Sequence, residues 1–351
     1  MSSLLRTSRY LFPQLKLLIS PTNPLLKISI STISTTNNVR EEKSQAGPPP
    51  IQVGITETAG RAVFATRKIG ASELIHTAKP IISHPSLTKI GSVCYLCLKR
   101  LKPEAGTENN SRIRVEPFCT EECRQQAKAY YEIEKKADWS AYHKYCRTSS
   151  LKYPLLVKRL ACMVIAGAAS ADCIHILQPA PVLPETEVEY SMLRSAFEGI
   201  NMAEENFKFL SEQWYADVLA RIRINAFRIE MVAGSYDDLL TLAAASVEAE
   251  AGVGNAVYIL PSFYNHDCDP NVHIIWMDSV HARLKALRDI EEGEELRICY
   301  IDASMDHNAR QSILLGGFGF KCSCHRCLSV GRFKFLRVLY FLRKLMSSSS
   351  I

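Results

Sequence analysis

Short apolar groups separated by turn residues open the patterned part of the chain. Val53, Ile55, Val63 and Phe64 are followed by Leu74 and Ile75, with turn signals at Thr58-Ala59-Gly60 and Ile69-Gly70-Ala71. Such spacing predicts short strands from Ile51 to Ile82. Residues 91–125 have little periodicity but hold four cysteines, the pattern of a lobe nucleated by metal rather than by a core. From 126 to 250 the apolar spacing turns helical. Helices are predicted at Ala127–Ala137, Tyr153–Cys173, Glu205–Ala233 and Tyr236–Ala251, interrupted by Pro179, Pro181 and Pro184. Strands return at Val257–Leu260, Val272–Met277, His281–Ala286 and Glu295–Tyr300, and Phe333–Met346 reads as a basic amphipathic helix. The order predicts an α+β protein in which one β domain is split by an insertion.

Composition changes this picture mainly at the N-terminus. The 351 residues are 47% hydrophobic and 22% charged, as in an ordinary globular protein, and no uncharged apolar run reaches membrane-spanning length. Residues 1–40 carry Arg6, Arg9, Lys16, Lys27 and Arg40 and no acid; removing those five charges from the net +6 leaves the remainder at +1. A nearly neutral body lacks the basic stripe of a nucleic-acid binder. The basic, hydroxyl-rich leader is that of an organelle transit peptide, pointing to a mitochondrion or plastid. Residues 1–50 are therefore read as leader and linker, closed by the stiff Gly47-Pro48-Pro49-Pro50.

The twelve cysteines fall in short pairs, which suits metal better than disulfides. Cys322, Cys324 and Cys327 supply three thiols within six residues, one short of tetrahedral zinc, and Cys268 is the candidate for the fourth. Cys94 and Cys97 with Cys119 and Cys123 form a second four-thiol set. Cys146, Cys162, Cys173 and Cys299 sit in apolar or unpaired surroundings and read as small buried hydrophobes. His325, between two ligands, is expected to point outward.

Three segments carry the remaining chemistry: Gly60-Arg61-Ala62-Val63-Phe64, Asn265-His266-Asp267-Cys268-Asp269-Pro270-Asn271 and Gly293-Glu294-Glu295-Leu296 through Tyr300. With the terminal C-x-C-x-x-C they resemble, in order and spacing, the SET-domain protein-lysine methyltransferases, over residues 51–328. The lobe and insertion resemble the SET-and-MYND and trithorax-related class, except that only one of the two MYND zinc sites has its cysteines. The resemblance implies small β-sheets with a pseudo-knot, a zinc knuckle at about 91–125, a helical insertion at about 126–250 and a post-SET zinc cluster at 318–328. Residues 329–351 would follow as a C-terminal helix and tail.

The resemblance also implies roles. Gly60 and Arg61 would lie beside the methionine end of S-adenosylmethionine, with Ala62 in place of a usual glycine and narrowing the approach. Asn265 and His266 would hold the cofactor, Asn225 would contact it, and Phe320 would pack on adenine. Tyr300 would be the active-site tyrosine, and Phe318 would line the lysine channel where relatives carry tyrosine. Taken singly, Asn265, Asn271 and Tyr300 could equally be turn and strand residues. The implied substrate is a protein segment with a basic, lysine-containing stretch, such as a histone, and the implied compartment is the nucleus. Six glutamates between Glu185 and Glu205 could attract such a segment, although such a run is more often a solvated face. A monomer is expected. The competing reading is a non-catalytic SET and zinc scaffold for protein contacts.

Overall fold

A computed structural model describes residues 47–101, 116–200, 202–231 and 252–329. In chain order the strands and helices begin with β1 (Ile51–Thr56), β2 (Gly60–Ala65), β3 (Leu74–Ala78) and β4 (Ile82–Pro85). The insertion supplies α1 (Glu121–Lys136), α2 (Ser140–Thr148), α3 (Tyr153–Ile165), α4 (Thr186–Glu198) and α5 (Glu212–Asn225). The chain then continues through β5 (Ala226–Glu230), β6 (Gly252–Val257), β7 (Asn265–His266), β8 (Val272–Ile275), β9 (Ala282–Ala286), β10 (Glu295–Ile298) and α6 (His307–Phe318).

Three small sheets result, ordered β1-β2-β10-β7, β3-β9-β8 and β4-β6-β5. In each, strands from before the insertion pair with strands from near or beyond its end. β2 pairs antiparallel with β10, β3 with β9, and β4 with β6. The β domain is therefore split in sequence and continuous in space. The β1–β2 hairpin turns at Gly60, whose φ of 72° is left-handed backbone that glycine adopts without strain.

Two predicted helices are shorter than their patterning suggested. The stretch Glu205–Ala233 becomes a 3-10 turn at Glu204–Phe207, then α5, then a strand from Ala226. Sheet pairing of Ala226 through Glu230 with β6 overrides the helical spacing there. Tyr153–Cys173 stops at Ile165, with Gly167 at φ 67°. Helices α2 and α4 were not predicted; α4 buries Glu189, Leu193 and Phe197 at four-residue spacing. The helices predicted at Tyr236–Ala251 and Phe333–Met346 lie outside the described residues. Among the described residues no helix is long and apolar enough to cross a membrane.

The insertion is fastened to the β domain by a buried charged cluster. Helix α3 is buried from Pro154 to Cys162, Lys158 and Arg159 included. Glu134 of α1 accepts from Lys158 Nζ at 2.6 Å, Arg159 Nε at 3.0 Å and the Tyr95 hydroxyl at 2.5 Å. The Arg159 guanidinium lies 3.6 Å from the Tyr95 ring centroid and donates to the carbonyls of Ser83 and Tyr95. One arginine thus joins β4, the cysteine lobe and two helices. Burial would raise the Glu134 carboxyl, but the charges of Lys158, Arg159 and His84 overcome it and hold the group well below its usual range. The contribution of a carboxyl depressed in the folded state is complete above about pH 4.5, its unfolded value, and decays as pH falls through the lower folded value. Glu134→Ala leaves two buried cations without their anion. It should cost about 3–5 kcal/mol of unfolding free energy in urea denaturation at pH 7; a loss below about 1 kcal/mol would show the cluster to be peripheral.

Candidate active site and thiol clusters

Strand β7 has only two residues, Asn265 and His266, and both are held by the strand that leads to Tyr300. β10 runs parallel to β7, with Arg297 opposite Asn265 and Ile298 opposite His266. The Asn265 amide donates to Glu295 Oε1 at 2.8 Å and to the Arg61 carbonyl at 3.3 Å. With both amide hydrogens engaged, only its oxygen remains for a ligand, as an acceptor. Glu295 is itself held by Arg297, whose Nε lies 2.9 Å from Oε2.

His266 accepts from the backbone N–H of Tyr300 at Nδ1, at 3.0 Å. The neutral ring therefore carries its proton on Nε2, which lies 3.3 Å from Cys268 Sγ. Burial lowers the pKa of His266 to about 4, which keeps the ring neutral at physiological pH. Tyr300 donates its hydroxyl to the Tyr264 carbonyl at 2.6 Å. Its ring centroid is 5.0 Å from Phe318, 5.3 Å from His266 and 6.5 Å from Phe320. Burial pushes its phenol well above the usual value, so the hydroxyl stays protonated.

Helix α6 delivers the two phenylalanines. Asp306 caps its start by accepting from Asn308 and Ala309. Gly319, at φ 79°, ends it with bonds from Gly319 to Leu315 and from Phe320 to Leu314. That reversal sets Phe318 against Tyr300 and Phe320 6.0 Å from the ring of His266.

Gly60, Arg61, Asn225, Asn265, His266, Tyr300, Phe318 and Phe320 all line one cavity of about 2000 Å³. Ala62 does not line it. It is fully buried on the strand, so the narrowing expected there does not arise. Asn225 reaches the cavity wall but spends both amide hydrogens on the carbonyls of Gln178 and Arg221, at 2.9 and 2.7 Å. It pins the 178–181 segment as a wall. The sequence reading missed Glu295, Tyr264 and Gln178 as partners. Glu295 lay within the Gly-Glu-Glu-Leu run and could have been found there; the other two act through backbone carbonyls, which no side-chain motif marks.

The thiols form two compact quartets. Within each of Cys268, Cys322, Cys324, Cys327 and Cys94, Cys97, Cys119, Cys123, the sulfurs lie within 4.8 Å of one another. Cys268 is 3.9 Å from Cys322 and 3.6 Å from Cys327; Cys119 is 3.3 Å from Cys97 and 3.6 Å from Cys123. Tetrahedral zinc with bonds of about 2.3 Å sets its sulfurs about 3.8 Å apart, so both quartets fit that ion. All twelve cysteines are free of disulfides. Local groups hold the frames: Gln311 bonds Cys322 through both its N–H and its carbonyl, Arg326 donates to the Cys268 carbonyl, and Thr120 caps α1 between Cys119 and Cys123. His325 is exposed, and Cys146 and Cys162 are buried in the core, but Cys173 and Cys299, expected to be buried with them, are only partly covered.

A split β domain, a tyrosine beside an Asn-His strand and a terminal thiol cluster define a class, and the SET domain family matches residues 60–301, more than half of the chain. The chain belongs to that family. It is 56% identical over 323 residues to histone-lysine N-methyltransferase ATXR4 of Arabidopsis thaliana, covering 91% of this chain and 96% of that protein. A SET and MYND domain-containing protein of Dictyostelium discoideum is 28% identical, covering 75% of this chain and 79% of its own length. Histone-lysine N-methyltransferase SMYD3 of Homo sapiens is 27% identical, with 80% of this chain and 62% of that protein covered.

One ion in each quartet would give two zinc ions per chain. Elemental analysis of the purified protein should find about two, falling to about one in Cys268→Ser and in Cys94→Ser; a folded wild-type protein without zinc would contradict the fit.

Proposed function

We propose that this chain is an S-adenosylmethionine-dependent protein-lysine N-methyltransferase with Tyr300 at its reacting centre. The observation that carries this reading is that Tyr300, its hydroxyl oriented by the buried Tyr264 carbonyl, and Asn265 line one cavity with Phe318 and Phe320. S-adenosylmethionine, when bound, supplies the electrophilic methyl group. Gly60 and Arg61, Asn265, His266, Asn225 and Phe320 are the residues to hold it. The free oxygen of Asn265 suits an ammonium group, and Phe320 offers an apolar face for an aromatic base.

The attacking lysine must be neutral, although its ordinary pKa is about 10.4. A channel bounded by Phe318 and the buried ring of Tyr300 disfavours the ammonium form. With its proton given to the Tyr264 carbonyl, the Tyr300 hydroxyl keeps its oxygen lone pairs to accept an N–H of the amine and leave the amine lone pair free to attack, and alignment of this kind contributes several kcal/mol to rate. No strong base is needed. Phe318, without the hydroxyl of a tyrosine, leaves room beside the amine.

The similarity to ATXR4, a histone-lysine N-methyltransferase by name, supports a histone lysine as substrate. On α4 and after it Glu185, Glu187, Glu198, Glu204 and Glu205 are exposed and could draw a basic segment. Glu189 is buried and accepts from Tyr215, so it takes no part. The basic leader supports import into an organelle, the histone reading supports the nucleus, and fractionation of the tagged full-length chain decides between them.

Tyr300→Phe should lower methyl transfer to histones or organelle extract about 100-fold while leaving cofactor affinity within twofold, the usual scale for one oriented hydroxyl. Cofactor binding without methyl transfer by the wild type would instead favour the scaffold reading.

A further inference from the structure

A polar residue on a strand normally faces solvent, and His76 does not. Strand β3 carries a bulge: Leu74 pairs with Lys285 and His76 with Leu284, so Ile75 has no opposite residue. A bulge re-aims side chains. Here it leaves two successive residues buried, Ile75 at 3% and His76 at 8% exposure. Burying an imidazole is costly unless it is hydrogen-bonded, which asks what His76 does inside.

His76 Nε2 lies 2.9 Å from the hydroxyl of Tyr264, a residue with no exposure at all. A neutral imidazole has one donor and one acceptor nitrogen. Either tautomer of the neutral ring can pair Nε2 with the Tyr264 hydroxyl, which both donates and accepts. Burial lowers His76 to about 4 and keeps this arrangement at physiological pH. The other end of Tyr264 matters for the proposed reaction, because its carbonyl receives the Tyr300 hydroxyl at 2.6 Å. Tyr264 is also the last residue before Asn265, at the junction of the 3-10 turn Leu260–Phe263 and β7. Hydrogen bonds at the two ends of Tyr264 thus link His76 to Tyr300, crossing from the β3 sheet to the β7 sheet.

We propose that His76 is a positioning residue for methyl transfer: by holding the Tyr264 hydroxyl it fixes the Tyr264 carbonyl, and with it the direction of the Tyr300 hydroxyl. The proposal rests on the reading of Tyr300 as the reacting-centre tyrosine. His76 is not among the residues lining the cavity, and its effect passes through Tyr264. Truncating it leaves the buried Tyr264 hydroxyl without this partner, whereas removing both partners does not.

The test compares His76→Leu, His76→Gln, Tyr264→Phe and the Leu–Phe double variant in the full-length protein. Assays use S-adenosylmethionine and the substrate on which the wild type is active. His76→Leu should lower kcat about tenfold, since displacements of under 1 Å carry penalties of this order. KM for the protein substrate and Kd for the cofactor should stay within about twofold. His76→Gln, whose amide can both donate and accept, should recover most of the rate. The double variant should be no slower than the slower single one. A purely structural histidine would shift the melting temperature and leave kcat per folded molecule unchanged, and that result overturns the proposal. So does multiplication of the two single effects in the double variant. If His76→Leu does not fold, Tyr264→Phe decides alone: an unchanged kcat there refutes the proposal. An inactive wild type would sink the parent reading instead. The crystal structure of Tyr264→Phe then still tests the linkage, which requires the Tyr300 hydroxyl to leave the carbonyl of residue 264.

Discussion

The parallel pairing of β10 with the two residues of β7 is the constraint on which the rest of the site depends. It is a very short ladder, and two residues of sheet do not hold themselves together. Its support comes from side chains. Glu295 fixes Asn265 from the neighbouring strand, His266 accepts the Tyr300 N–H, and the protonated face of the same imidazole meets Cys268. Tyr300 is thereby tied to the terminal thiol quartet through a single ring. The chain end, carrying Cys322, Cys324 and Cys327, is fastened where it borders the cavity.

In the insertion, rigidity comes from charge rather than metal. Arg159 and Lys158 lie fully inside around Glu134, and this ionic knot locks the cysteine lobe to β4 and α3. Isolated buried ions are costly, but here each has partners and the arginine also stacks on Tyr95. The insertion then presents α5, whose last residue, Asn225, pins the 178–181 wall of the cavity. A thiol quartet thus borders the cavity directly, and the ion cluster holds α3, against which the wall helix α5 packs; this is the preorganisation that alignment-based catalysis requires.

Much of this was legible in the sequence where chemistry is local. The cysteine spacings, the Asn265–Asn271 run and the segment ending at Tyr300 each put their key residues within a few positions, and the α+β order followed from the apolar pattern. What the sequence hid was long-range. Ala226–Glu230 reads as a helical continuation until β6 offers it a sheet edge, because β propensity depends on the partner strand. Ala62 looked like an intrusion and is instead a core residue. His76 carries no motif, since its inward direction comes from a bulge that only pairing with β9 reveals. Asn225 was visible as a candidate, but the bonds that occupy its amide run to backbone carbonyls.

The central claim is that the thiol clasp at Cys268 organises the cofactor-facing residues and Tyr300 as one unit. Calorimetric titration of S-adenosylmethionine into the wild type and into Cys324→Ser, each checked for a cooperative melting transition, tests it most directly. The account expects binding to the wild type and at least about tenfold weaker binding to the folded variant, as when the supports of a metal-held site are removed. Equal dissociation constants for the two proteins would contradict it.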